Sequence, residues 1–230
     1  MLSEKLFSMD SSAEVSSLYG LVPRTSVDFT FKPTKRGHMA KQAHGKTAAD
    51  YILDSTVVDP AGKVLYTLTS DAKRKKWTTI CDATGAEVSR LDWDHMFSPR
   101  MTFRGGDEIK CKAFIPYQDK NKTKRWLQAG ATANVYSWIP GEEDNHDMIT
   151  PWDQPGYAVA IIKSNSRREI VCELVYEAFE APEFIDALIT AVALIYGKGG
   201  DLGRDLVVDG KDVMKILNGM ATVASIASVL

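Results

Sequence analysis

The densest candidate chemistry in this sequence is cationic. Lys73-Arg74-Lys75-Lys76 is an unbroken run, and Lys120, Lys122, Lys124 and Arg125 form a second, preceded by Lys110 and Lys112 and opposed locally by Asp119. Side chains of this kind, gathered on one face, hold phosphate groups by charge neutralisation, whether lipid headgroups or a nucleic-acid backbone. The plainer reading is two solvated loops. Glu142, Glu143, Asp144 and Asp147, and the series Glu173, Glu177, Glu180 and Glu183, offset the charge elsewhere. The formal net charge of −2 argues against whole-surface nucleic-acid binding and against strong membrane attraction by the molecule as a whole. Segregation of the two signs would favour an interaction face.

A second constellation is Asp92, Asp94 and His95, with His146 and Asp147 in reserve. These offer oxygen and nitrogen ligands to a divalent metal, or an acid–base pair. Their spacing matches no closed zinc site, and a polar turn at a strand end explains them as well. The sequence implies no cofactor. Cys81, Cys111 and Cys172 are odd in number and far apart, which predicts core thiols in a reduced intracellular protein. Residues 1–20 hold no uninterrupted apolar stretch of the kind a secretory signal needs, so the expected location is cytoplasmic. Gly197-Lys198-Gly199-Gly200-Asp201-Leu202-Gly203 departs from the phosphate-loop spacings and follows a helical pattern; it reads as a hinge. Of the five tryptophans, Trp77 and Trp93 are expected in or against a core, and Trp152 is the best candidate for an exposed ring.

The elements that must carry these side chains read as β from Asp50 to Glu180. A first strand is expected at Val27–Phe31. Further strands are expected at Ile52–Val58, Val64–Leu68, Trp77–Cys81, Val88–Trp93, Met101–Arg104, Ile109–Ile115, Val135–Ile139, Tyr157–Lys163 and Glu169–Phe179. Turn residues separate them, as in Asp59-Pro60-Ala61-Gly62 and Asp82-Ala83-Thr84-Gly85. Such a series predicts an antiparallel sandwich or barrel. Residues 184–196 are apolar almost all round, which predicts a helix buried on every side, too short to span a bilayer. Residues 1–26 read as a flexible arm and 197–230 as a hinge with a helical extension. In that extension Val213, Ile216, Leu217, Met220, Val223, Ala224 and Ala227 share one helical face, which suits a partner or a second copy of the chain.

Tyr51–Ser55 running into Asp59–Tyr66, then Trp77–Gly85, then Glu87–Trp93, and finally the apolar helix, occur in an order that resembles the tubby-like superfamily. The likeness is to a fungal group of uncharacterised domains related to the LURP-one-related proteins and the phospholipid scramblases, over residues 27–196. It implies a closed antiparallel barrel of about twelve strands around a central helix. It also implies phosphoinositide binding through basic residues, with no active-site motif to carry over. In that family the helix lies near the chain terminus, whereas some 30 residues follow it here.

Three readings of function result. The first is a non-enzymatic module for anionic lipid headgroups, through Lys73, Arg74, Lys75, Lys76, Lys120, Lys122, Lys124 and Arg125. The second is an enzyme with a rim site of Asp92, Asp94, His95 and His146. The third is a self-associating protein that uses residues 211–230. None requires specific nucleic-acid contact or a membrane-spanning segment.

Overall fold

A computed structural model describes residues 26–35, 52–71, 76–94, 99–121, 123–129, 134–140, 146–164 and 169–197. The arm at 1–25 and the extension at 198–230 lie outside these residues.

Twelve strands form one antiparallel sheet: β1 (Ser26–Pro33), β2 (Ser55–Val58), β3 (Val64–Ser70), β4 (Trp77–Asp82), β5 (Glu87–Asp92), β6 (Arg100–Phe103), β7 (Ile109–Lys110), β8 (Arg125–Ala129), β9 (Asn134–Pro140), β10 (His146–Pro151), β11 (Ala160–Ser164) and β12 (Ile170–Val175). Their order is β7-β6-β5-β4-β3-β2-β1-β12-β11-β10-β9-β8, two meanders joined where β1 pairs with β12. Tight turns hold the hairpins. Asp82 closes the β4–β5 turn by accepting from the backbone N–H groups of Thr84 and Ala86 and from the Thr84 hydroxyl. Those bonds, the Thr84 hydroxyl foremost, hold its carboxyl below the usual carboxylate range. Gly85 in this turn has φ +86°, a left-handed conformation that favours glycine.

The register lines up one inward row around most of the sheet. Phe31 faces Val57, Val57 faces Tyr66, Leu68 faces Ile80, and Leu91 faces Met101. In the other half Phe29 faces Cys172, Cys172 faces Ile162, and Ile149 faces Trp138. The period of two puts alternate side chains inside, where most of this row is fully enclosed.

Inside the curl of the sheet lies α3 (Pro182–Tyr196), following α1 (Cys111–Phe114) and α2 (Tyr176–Phe179). Residues Phe184 to Leu194 of α3 are all buried, as the all-round apolar pattern requires. Pro182 opens the helix, where its missing N–H costs nothing. Gly197 ends it. A Cβ there would meet the Ala193 carbonyl and the Leu53 side chain.

Two polar side chains on one face of α3 reach one half of the sheet. Asp186 accepts from the Tyr66 hydroxyl at 2.6 Å and from Arg104 Nε at 2.7 Å; Thr190 bonds Ser89 at 3.1 Å. The other half is met by the Phe184 ring, 4.6 Å from that of Tyr136, and by the Tyr196 hydroxyl, which donates to Asp147 at 2.5 Å. Asp147 also accepts from Trp138 Nε1 at 2.8 Å. The sheet therefore wraps the helix from both sides.

The end strands β7 and β8 share no ladder among the described residues, so hydrogen bonds do not close the expected barrel. Instead the chain crosses the seam through α1. Cys111 donates its N–H to the Pro99 carbonyl, and the Phe114 ring lies 5.1 Å from that of Phe103 on β6. Tyr117 then bridges to Arg125 on β8.

Expectation and structure differ in several places. The strand expected over 109–115 is two residues of β7 followed by α1, and the one expected over 169–179 stops at Val175, where α2 begins. Ile52 and Leu53 form a helical turn before β2. The strands β8 and β10 have no counterpart in the sequence reading. Cys111 and Cys172 are buried as expected, but Cys81 is only partly so, because inward Ile80 turns its neighbour outward.

Burial, the main cause, raises the Tyr66 and Tyr196 phenols above their ordinary range; each also donates to a carboxylate. Burial pushes the Cys111 thiol up to about 12 and raises Cys172 as well. In each case the folded state favours the protonated form. Stability is then complete below the unfolded values, near pH 8.5 for thiols and about 10 for phenols, and is lost as pH rises past them. Denaturant titrations should give a constant unfolding free energy from about pH 6 to about pH 8 and a steep fall above about pH 10. Phenolate absorbance appearing along an ordinary curve, with no loss of stability, would refute this.

Candidate functional site

Antiparallel pairing sorts every connection to one end of the sheet or the other. Odd-numbered strands run toward one rim, and even-numbered strands start from it. The strand ends at this rim flank the connections 34–54, 71–76, 93–99, 111–124, 141–145 and 165–169. The C-terminus of α3 is there too, since Tyr196 meets Asp147 at the start of β10. Tight turns dominate the opposite rim.

Among the described residues charge follows the same division, while the connection 141–145 between β9 and β10 carries Glu142, Glu143 and Asp144 in sequence. Lys32, Lys35, Lys110, Lys120 and Lys124 are exposed at the first rim, and Lys112 is half-buried there. Among the described residues none of these six lysines is in an ion pair. Acids at this rim are engaged with neighbours. Asp94 pairs with Lys76 at 2.6 Å, Asp92 accepts from the Asp94 N–H, and Asp119 accepts from the Thr123 hydroxyl and N–H. At the opposite rim Glu87, Asp107, Asp153, Glu177, Glu180 and Glu183 are exposed, against Lys63 and Arg104. Arg104 is tied to Asp186.

Of the side chains singled out in sequence, the structure brings Lys76, Lys120 and Lys124 to one rim. Lys73, Arg74, Lys75 and Lys122 lie outside the described residues, although Asp71, Lys76, Asn121 and Thr123 beside them are at that rim. Arg125 differs from the others: its guanidinium is buried, donates to the Ile115 carbonyl at 3.2 Å and the Tyr117 hydroxyl at 2.6 Å, and lies over the Tyr117 ring. Burial lowers its pKa from the usual arginine range. It is a strut of the seam beneath the exposed lysines. Lys32 and Lys35 join the rim because β1 ends there; no local signal carries that.

Asp92, Asp94 and His146 form no metal-binding group among the described residues. Asp92 and Asp94 are held in the contacts above, His146 starts β10, and β5 and β10 share no ladder. His95 lies outside the described residues. No group of three His, Cys, Asp or Glu side chains fit for a metal forms among the described residues. No helix among them is long and apolar enough to cross a membrane.

Fold and rim together define an antiparallel β protein wrapped on a buried helix, with a lysine-rich rim at the end of its long connections. No protein-family model matches the chain, and no curated protein sequence does. It is similar to an X-ray structure of a protein from Arabidopsis thaliana, at 14% identity and a TM-score of 0.33, over 76% of this chain and 95% of that one. At that overlap the likeness carries no argument about fold or function.

Proposed function

We propose that this chain is a peripheral binding module for anionic lipid, presenting its lysine-rich rim to phosphoinositide-bearing membrane. The observation that carries this is the division of charge between the two rims among the described residues: Lys32, Lys35, Lys110, Lys112, Lys120 and Lys124 are in no ion pair, and the acids beside them are engaged. A dipole of this kind turns one end of the molecule toward a negative surface although the whole carries little net charge. The tubby-like resemblance of residues 27–196 agrees with it. In that finer reading the sheet is a barrel about α3 whose β7–β8 seam is sealed by α1 rather than by a ladder.

Sedimentation with vesicles tests the proposal. The full chain should pellet with phosphoinositide-containing vesicles and stay soluble with neutral ones. Binding should weaken as salt shortens the Debye length from about 30 Å at 0.01 M to about 8 Å at 0.15 M. Failure to bind anionic vesicles at low salt, or equal binding to neutral ones, overturns it.

A further inference from the structure

The large apolar side chains exposed among the described residues are Val64, Trp77, Trp152 and Tyr176. Val64 opens β3, Trp152 follows β10 and Tyr176 follows β12, so these three are at the acidic rim. Trp77 opens β4 at the lysine-rich rim, directly after Lys76. Its side chain is turned outward, because Thr78 and Ile80 take the inward, buried positions on β4. The Arg90 guanidinium lies 5.0 Å from the centre of its ring. Three acids lie nearby: Asp71, whose N–H donates to the Trp77 carbonyl at 3.0 Å, Asp92 opposite on β5, which accepts from the Asp94 N–H, and Asp94, which is paired with Lys76.

An indole suits a membrane interface, since it presents a broad apolar face and one polar N–H. Trp77 keeps 38% of its surface exposed, with the Arg90 guanidinium against its ring. We infer that Trp77 is the interfacial anchor of this rim: its ring enters the boundary between headgroups and acyl chains, with Arg90 beside it to meet headgroup phosphates. This rests on the anionic-lipid reading above and adds a depth and an orientation to it. The molecule would sit with the start of β4 against the bilayer and α2 facing away.

The test uses the full chain, its Trp77→Phe and Trp77→Ala variants, and Trp152→Phe as a control at the opposite rim. Tryptophan emission is read on phosphoinositide vesicles with brominated acyl chains. Wild type and Trp152→Phe should show blue-shifted, quenched emission; Trp77→Phe should lose that component while still sedimenting with the vesicles. Trp77→Ala should partition about tenfold more weakly, the effect of withdrawing roughly 50 Å² of apolar ring from the interface. Salt-sensitive binding with no quenching assigned to Trp77, and no change in Trp77→Ala, overturns the anchor and leaves the lysine rim standing. Absence of wild-type binding overturns both.

Discussion

Replacing Leu188 by Asp leaves the chain with no cooperative unfolding transition, and replacing it by Ala retains the transition at a cost of about 2–5 kcal/mol. Leu188 sits in the middle of α3 with no solvent exposure, enclosed with Ala187, Ile189, Ala191 and Val192, which are equally inaccessible. Truncation to Ala removes apolar burial and leaves a cavity that strands on every side are too constrained to fill. An aspartate there has no partner. The carboxylate that α3 does carry inside, Asp186, is matched by Tyr66 and Arg104. An unmatched buried charge costs several kcal/mol, a large share of the 5–15 kcal/mol by which most domains are stable. Denaturant unfolding followed by tryptophan emission measures both effects, since Trp93 and Trp138 are buried. A Leu188→Asp chain with a wild-type transition would mean that α3 is not the filler of the sheet.

Replacing Lys110, Lys112, Lys120 and Lys124 together by Ala reduces affinity for phosphoinositide vesicles by about a thousandfold at low salt. Each lysine near an anionic bilayer contributes about 1 kcal/mol, and every 1.4 kcal/mol is tenfold. The loss should shrink at physiological ionic strength, where the rim charges are screened within about 8 Å. Three of the four side chains are exposed and Lys112 is half-buried, so thermal stability should hardly change. Lys63→Ala at the acidic rim serves as the control and leaves binding intact. The measurement is a vesicle titration across salt concentrations. Equal affinities for the quadruple variant and wild type would remove this rim from the proposed function.

Some elements escape local reading for identifiable reasons. In β8 the buried row is Arg125, Leu127 and Ala129 while Trp126 faces outward, so a cation replaces an apolar residue in the inward series. That substitution works because Tyr117 and the Ile115 carbonyl, several residues away, accept the guanidinium. In β10 the inward series includes Asp147, which is tolerable only because Trp138 and Tyr196 donate to it. Both strands therefore interrupt the hydrophobic alternation on which a sequence reading depends. The run at Cys111–Phe114 shows the reverse effect: apolar residues suggested a continuing strand, but the seam between β7 and β8 selects a helical turn.

By itself the sequence determined the β character, most hairpins and the buried helix, because these follow from the alternation of neighbouring side chains, local turn chemistry and an apolar surface with no polar face. It also marked Lys76, Lys120 and Lys124 as cationic candidates. Only the tertiary structure decided that they share a rim with Lys32, Lys35 and Lys110, and that Arg125 is withdrawn from it. The physical reason is parity. In an antiparallel sheet, the rim to which a connection belongs depends on how many strands precede it and on which strands pair. One overlooked strand reverses every later assignment, and the β1–β12 pairing that joins the two meanders spans most of the described chain.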